Sequence, residues 1–314
     1  MKKPIPVNTP MITKADARAV YKTVKSGWIS SEGENIKKFE KNFATFIGHK
    51  YSAAVSSGTA ALDIAIKILN LKKGDEVIIP NFTIISNALA VIKLNLNIKF
   101  VDCDIDNWNM NLLKVEKAIT KKTKAIIATH IYNFPLRIDL LSKICKKKKI
   151  FLIEDAAEVF GQQIYKKKCG SFGDISIFSF YANKQITTGE GGMLTTNNKT
   201  FYEKMTSLRN LSFGKKNRFN HEDIGWNYRM TNIQASLGLE QLSRIKKIIQ
   251  KRHSVGLHYY KKFKDNKNIF IPKPKNKYAK NIYWVIGILI INKKLNLDAK
   301  KVMLKLKNLG IGTR

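Results

Sequence analysis

The residues best suited to chemistry in this sequence follow short apolar runs. Lys184 comes shortly after the run Ile175–Ser179, and residues 187–192, rich in glycine and hydroxyl groups, lie just beyond it. A partly desolvated lysine loses proton affinity and can act as a nucleophile or form a Schiff base. In a chain with so many lysines most are solvated surface charges, so the surroundings of Lys184 decide between the two descriptions.

Acidic residues end another apolar run. Glu154 and Asp155 complete the run that starts at Ile150, and Glu158 follows shortly after them. A carboxylate at a buried strand end requires a cationic partner, and the protonated ring nitrogen of a bound heterocycle is suited to that role. The alternative is a carboxylate that caps the N-terminus of a helix.

Two further segments combine glycine with polar side chains. Ser57-Gly58-Thr59 joins a predicted strand to a predicted helix, where free backbone N–H groups and a hydroxyl can hold a phosphate. The same three residues also suit an ordinary helix N-cap. Residues 225–230, which include Asn227 and Arg229, precede another predicted helix and are either ligand contacts or a packed helix entry.

Taken together, these groups match one cofactor. Pyridoxal 5'-phosphate requires a phosphate cradle, a carboxylate that keeps its ring nitrogen protonated, and a lysine that attaches it to the protein. The combination therefore predicts pyridoxal phosphate at the ends of the strands, where open α/β sheets bind their ligands. No metal is expected, because the three cysteines have no metal-like spacing.

The elements that position these residues form an α/β pattern. Between the first two predicted strands, Leu62, Ile66 and Leu69 share one face of a helix over Thr59–Asn70. Continuous apolar runs indicate strands buried on both faces of a mainly parallel sheet, so a doubly wound domain is predicted. The seven predicted strands are Ser52–Val55, Glu76–Ile79, Ile98–Asp102, Ala125–Ala128, Ile150–Glu154, Ile175–Ser179 and Met193–Thr196.

The C-terminal part of the chain has a different pattern. Apolar positions from Ala235 to Ile249 predict one long helix, the run Ile282–Ile291 predicts a strand, and Asp298 is placed to cap a last helix that stops at Gly310. One strand and one helix do not make a stable layer. We therefore predict a large domain over residues 1–245, including an N-terminal arm, and a partial small α+β domain over residues 246–314.

Composition limits the partners. The chain of 314 residues carries 57 Lys+Arg against 23 Asp+Glu, a formal net charge of +34. Of those 57 cations 49 are lysine, scattered along the chain, whereas nucleic-acid recognition favours arginine. We expect a solvated surface rather than a nucleic-acid site. The longest apolar run is too short for a membrane span and the N-terminus has no apolar segment, so a cytoplasmic protein is expected.

Several stretches resemble the DegT/DnrJ/EryC1/StrS family of nucleotide-sugar aminotransferases. The resemblance implies the type I aminotransferase fold, pyridoxal phosphate, and a homodimer with shared active sites. It further implies transfer of the amino group of L-glutamate to a nucleotide-diphosphate keto sugar, most like the branch that acts on C4 of GDP-4-keto-6-deoxymannose. The matching stretches are residues 27–33, 56–62, 74–83, 153–158, 169–193 and 225–238.

The resemblance also implies roles for individual residues. Lys184 would be the catalytic residue that holds the cofactor and moves protons, Asp155 would pair with the ring nitrogen, and Glu158 would contact the ring near its O3′ oxygen. Gly58, Thr59 and Ser179 would hold the phosphate, and Asn227 would reach the cofactor of the partner subunit. The residues implied on the sugar side are Trp28, Ser30, Tyr181 and Arg229.

The sequence departs from the family at three places. Ile84 stands where an aromatic residue usually stacks on the cofactor, and Asn133 stands where glycine is common. Family members also continue beyond the point that matches Gly310–Arg314, so we expect a truncated small domain. Two alternatives remain open: an aminotransferase for a UDP- or dTDP-linked 4-keto sugar, and a protein that binds the cofactor or a polyanion without turnover.

Overall fold

A seven-stranded sheet forms the centre of the computed structural model, which describes residues 4–132, 134–214, 216–291 and 297–314. Asn133 lies outside the described residues. In chain order the strands are β1 (Tyr51–Val55), β2 (Glu76–Pro80), β3 (Asn97–Val101), β4 (Thr123–Thr129), β5 (Phe151–Asp155), β6 (Gln163–Ile164), β7 (Lys167–Lys168), β8 (Ile175–Ser179), β9 (Gly192–Thr196), β10 (Ile269–Phe270) and β11 (Leu289–Ile290).

The large sheet has the order β1-β9-β8-β5-β4-β2-β3. β9 is antiparallel to both of its neighbours, and the pairs from β8 to β3 are parallel. Each of the seven predicted runs overlaps one of these strands, with ends that differ by at most two residues, which confirms the mainly parallel α/β sheet. The runs could be recognised because strands buried on both faces are apolar at successive positions.

Helices cover both faces of the sheet and bury two apolar clusters against it. Their boundaries are α1 (Lys14–Lys25), α2 (Glu34–Ile47), α3 (Gly58–Lys67), α4 (Ser86–Ile92), α5 (Leu112–Ala118), α6 (Ile138–Lys148), α7 (Lys199–Leu208), α8 (Asn232–Ser243), α9 (Ile245–Phe263) and α10 (Ala299–Asn308). Among the described residues, none of these helices has the length and apolar character needed to cross a membrane.

An aromatic cluster packs under the sheet on the α2 side. The ring of Phe43 in α2 is fully buried, and its centroid lies between 4.8 and 5.9 Å from those of Phe39, Phe160, Phe178 and Phe180. Aromatic pairs at this spacing stabilise a core beyond the area that they bury. The cluster joins α2 to β8, the strand that precedes Lys184.

The C-terminal part differs from its prediction in two places. The predicted long helix is two helices, α8 and α9, which meet at Arg244, where the guanidinium contacts Asp16 of α1. In the predicted strand Ile282–Ile291, strand structure covers β11 alone. The run starts as a loop instead, because Tyr283 has a φ of 51°, outside the β region, and the side chains of Ile282, Tyr283 and Trp284 are all buried in this loop. The domain boundary after residue 245 stays a prediction.

The last helix begins where the sequence predicts. Asp298 accepts a hydrogen bond of 2.7 Å from the backbone N–H of Lys301, which is the contact of an N-cap. Near the other end of the helix, the N–H of Ile5 bonds the carbonyl of Gly310 at 2.8 Å. The two ends of the described chain therefore lie together.

Replacing Phe43 by alanine should lower the free energy of unfolding by about 3–5 kcal/mol, the usual cost of removing a fully buried phenylalanine. Denaturant unfolding followed by circular dichroism measures this change. Phe219 is 80% exposed, so Phe219→Ala is a matched control that should change stability by less than about 0.5 kcal/mol. Equal effects of the two substitutions would contradict the role of the aromatic cluster.

Candidate active site

Lys184 lies in the turn after β8, and its side chain is 12% exposed. The backbone N–H of Lys184 bonds the carbonyl of Tyr181 at 2.9 Å, which fixes the turn. Its Nζ atom is 3.9 Å from Oε1 of Glu158 and 3.8 Å from the centroid of the Trp284 ring. Burial lowers the pKa of this ammonium, and the carboxylates of Glu158 and Asp155 oppose the shift. The lowered pKa therefore makes the neutral amine of Lys184 easier to form.

Two carboxylates at the end of β5 face the lysine. Asp155 is the last residue of the strand and is fully buried, and burial raises the pKa of its carboxyl. Its Oδ1 accepts a hydrogen bond from the N–H of Ala157 at 3.1 Å. Burial raises the pKa of Glu158 to about 7, against the attraction of Lys184. Three titratable groups therefore share one water-poor space.

Glu154, which precedes Asp155, points to the other face of the strand and has a structural task. Its oxygens accept hydrogen bonds from the N–H groups of Gly170, Phe172 and Gly173, at 2.6–3.0 Å, and contact Nε2 of His130 at 3.0 Å. These donors hold the pKa of Glu154 below its ordinary value despite burial. Neighbouring residues of a strand face opposite sides, so Asp155 faces the lysine and Glu154 holds the loop.

The N-terminus of α3 forms the expected cradle. Ser57 caps the helix by accepting a hydrogen bond from the N–H of Ala60 at 3.0 Å. A Cβ atom at Gly58 would stand 3.0 Å from Cβ of Ser179, which is tighter than most Cβ contacts, so this close approach favours glycine. The hydroxyls of Thr59 and Ser86 are 2.9 Å apart. Ser86, which begins α4, is a hydroxyl that sequence reasoning missed.

Most residues predicted to contact the substrate or the partner subunit are at the surface, and Arg229 is half-buried. Trp28 and Tyr181 are 66% and 43% exposed, and Ile84, which is predicted to lie beside the cofactor, is 57% exposed. Arg229 donates from Nε to Oδ1 of Asn227 at 2.8 Å, which joins the two predicted residues of that loop. The backbone carbonyl of Ser30 accepts a bond of 2.7 Å from the N–H of Asn232 in α8. The roles of all these residues stay predictions.

Two residues beyond position 245 complete the surroundings of Lys184, and sequence reasoning missed both. Trp284 covers the ammonium, and its indole N–H donates to the carbonyl of Asn183 at 2.9 Å. Arg252 in α9 donates to the carbonyls of Lys184 and Trp284 at 3.0 and 2.9 Å. The one signal in the sequence was a tryptophan inside the apolar run Ile282–Ile291. The C-terminal part thus contributes directly to the site.

The sheet order and the buried lysine define the class: a protein of the type I aminotransferase fold. The profile of the DegT/DnrJ/EryC1/StrS aminotransferase family matches residues 10–314. The chain belongs to this family.

Individual relatives agree with the family assignment. The chain is 39% identical over 294 residues to the GDP-perosamine synthase of Escherichia coli O157:H7, covering 91% of this chain and 78% of the relative. Helicobacter pylori PseC, an aminotransferase of pseudoaminic acid biosynthesis, is 29% identical with a TM-score of 0.92, over 98% of this chain and 83% of that one. Escherichia coli GDP-4-keto-6-deoxy-D-mannose-3-dehydratase, solved with hydrated pyridoxal phosphate, is 26% identical with a TM-score of 0.92, over 100% and 85%.

The residues present fit pyridoxal phosphate. The start of α3 offers backbone N–H groups beside Ser179, in a space that a side chain at position 58 would fill. Asp155 is a buried carboxylate of raised pKa, and its hydrogen-bond donor, the N–H of Ala157, is neutral. A protonated ring nitrogen would give this carboxylate a positively charged partner. Lys184 has the lowered pKa that an attacking amine requires.

Replacing Glu154 by glutamine should lower the free energy of unfolding by about 1–3 kcal/mol, because the amide NH₂ would face backbone donors that need an acceptor. The pKa of Glu154 is lowered, so its stabilisation is present above its ordinary pKa and is lost as the pH falls through the lowered value. Denaturant titrations at several pH values should show that the variant lacks part of this acid-side loss.

Glu203→Gln is the control for the Glu154 substitution, because the Glu203 side chain is 50% exposed and its ion pair with Lys199 spans 4.0 Å. An exposed pair of this kind contributes little to stability. If Glu154→Gln were as stable as Glu203→Gln at neutral pH, the structural role of Glu154 would be refuted.

Proposed function

We propose that this protein uses pyridoxal phosphate to transfer an amino group from L-glutamate to C4 of a nucleotide-linked 4-keto-6-deoxy sugar. The observation that carries the proposal is the buried Lys184 facing the carboxylates of Asp155 and Glu158 at the ends of β8 and β5. The GDP-perosamine synthases among the relatives support the GDP-linked sugar as substrate. A UDP- or dTDP-linked 4-keto sugar is the alternative.

Each group of the site has a task in this reaction. The cofactor, when bound, supplies a ring that accepts electrons from the carbon being deprotonated. Asp155 keeps a proton on the ring nitrogen, and the start of α3 with Thr59 and Ser179 holds the phosphate. Ile84 and Phe82, at 57% and 42% exposure, supply apolar surface beside it. Lys184 would hold the cofactor and would move protons at the reacting carbon atoms.

Lys184 also decides between amino transfer and dehydration. The family to which the sequence is similar has a dehydratase relative with histidine in place of this lysine. An amine whose pKa is lowered can both attach a cofactor and return a proton to a carbon atom, which amino transfer requires. The lysine therefore supports an aminotransferase rather than a dehydratase.

Loading with pyridoxal phosphate should give the purified protein a visible absorbance band that Lys184→Ala removes, because the band requires the bond between lysine and cofactor. Lys199→Ala, a substitution of a lysine that is 76% exposed, should keep the band. Absorbance spectra after dialysis provide the measurement. A wild-type protein that takes up no cofactor would overturn the proposed function.

Incubation of the loaded protein with L-glutamate should convert the cofactor to its amino form, and a matching nucleotide-linked 4-keto sugar should restore the band. A panel of GDP-, UDP- and dTDP-linked sugars identifies the substrate by the rate of recovery. Asp155→Asn should slow both halves by about 10²-fold or more, because the neutral amide cannot keep the ring nitrogen protonated. Recovery with none of the sugars would contradict amino transfer to this class of acceptor.

We further propose that the protein acts as a homodimer with shared active sites. An apolar strip of Ile85, Leu89 and Ile92 along α4 is 40–64% exposed, and the predicted contacts Trp28 and Asn227 also lie at the surface. Burying such a strip against a second copy would remove apolar area from water. Light scattering should give twice the chain mass of 35.8 kDa.

Ile92→Lys should shift this assembly toward single chains, because it places a charge in the proposed interface. Leu304→Lys in α10 is a matched control at a site that is 60% exposed, against 56% for Ile92, and should leave the mass unchanged. A single-chain mass for the wild type would refute the dimer.

A further inference from the structure

Glu158 and Lys184 form a buried acid–base pair with a defined geometry. Oε2 of Glu158 accepts a hydrogen bond of 3.1 Å from the backbone N–H of Tyr132, which leaves Oε1 directed to the Nζ of Lys184 at 3.9 Å. The side chains of Glu158 and Lys184 are 13% and 12% exposed. The carboxylate is therefore held at the lysine by its other oxygen, and a small movement brings the two into hydrogen-bond contact.

The charges around this pair do not balance in all protonation states. The groups that act on Glu158 are Lys184, Asp155 and the backbone N–H of Tyr132. Burial and the charge of Glu158 raise the pKa of the Tyr132 phenol. With both carboxylates ionised, one ammonium faces two negative charges in a space that water barely enters. With Glu158 protonated and Asp155 ionised, the three side chains are neutral overall.

Covalent attachment of the cofactor changes this charge balance, because it removes the ammonium charge of Lys184. Lys184 must lose its ammonium proton before its nitrogen can bond to the carbonyl carbon of the cofactor. Under the proposed function, on which this inference rests, Asp155 then faces the positive ring nitrogen. Glu158 would be left as a buried carboxylate without the cation that faced it, a state that burial makes costly.

We propose that Glu158 accepts the proton of Lys184 when pyridoxal phosphate is loaded. One N–H bond of the ammonium breaks and one O–H bond forms on Oε1 of Glu158, which turns an ion pair into a neutral amine and a neutral acid. No other reactant is needed, and no net charge moves into or out of the site. Glu158 acts here as a base toward the lysine, in addition to any contact with the cofactor ring.

Glu158 is better placed for this step than Asp155. Oε1 of Glu158 lies 3.9 Å from Nζ of Lys184, whereas Asp155 is engaged both by the N–H of Ala157 at 3.1 Å and by the side chain of Asn87. The pKa of Glu158, raised to about 7, lies closer to that of an amine than an ordinary carboxyl does. A smaller pKa difference makes the neutral pair easier to reach, and it places the titration of the base near neutral pH.

The test is the rate at which the cofactor-free protein takes up pyridoxal phosphate, followed by the growth of the visible band across a pH series. The wild-type rate should rise through a step near pH 7, where Glu158 becomes able to accept a proton. Glu158→Gln keeps an oxygen for the N–H of Tyr132 but cannot accept the proton, so it should lack this step and load faster only at higher pH.

At neutral pH the loading rate of Glu158→Gln should be about tenfold lower. This effect is smaller than that of most positioned acid–base groups, because removing the carboxylate also weakens the hold of Lys184 on its proton. Glu158→Asp, which retains a carboxylate, should restore a pH step. Glu190→Gln, an exposed substitution in the glycine-rich segment after Lys184, is the matched control and should behave as the wild type.

The outcomes separate this inference from the proposed function. A wild type that loads with a step near pH 7, together with a Glu158→Gln variant that loads without it, supports the inference. Identical pH profiles for the two proteins overturn it while leaving the cofactor assignment intact. A wild type that takes up no cofactor overturns the proposed function itself. Circular dichroism of each variant confirms that the compared proteins are folded.

Discussion

The burial of one lysine beside two carboxylates is the interaction on which the rest of this structure depends. A charged group removed from water is costly unless opposite charges and hydrogen bonds compensate it. Lys184 has Glu158 and Asp155 as compensating charges and the ring of Trp284 as its cover. The strands, the turn after β8 and the C-terminal segment can be understood as parts that hold these groups within a few ångströms.

The sheet achieves this by bringing ends of strands together. β5 and β8 are neighbouring parallel strands, so Asp155 and the turn of Lys184 emerge at the same edge. The alternation of side chains along β5 directs Asp155 to the lysine and leaves Glu154 to bind the loop at residues 170–173. One strand thus supplies both a functional carboxylate and the support of the adjoining loop.

Much of this arrangement could be predicted from the sequence. The parts that could not be predicted depend on contacts between residues that are far apart in the chain. The seven strands are continuous apolar runs, and Asp155, Glu158 and Lys184 follow such runs directly. Trp284 could not be assigned, because its own run also fits a strand and its contact depends on chain about one hundred residues away. The break between α8 and α9 depends on Asp16 of α1, a distant partner for Arg244 that no local pattern reveals.

The bridge made by Arg252 and Trp284 has a consequence for how the protein is made. The two residues hold the carbonyls of Asn183 and Lys184, and Trp284 is 101 positions beyond Asn183 in the chain. During synthesis the sheet can pair while this part of the chain is still inside the ribosome. Lys184 then stays open to water until Arg252 and Trp284 have emerged, so the lowered pKa of its ammonium arises late, on a sheet that has already formed.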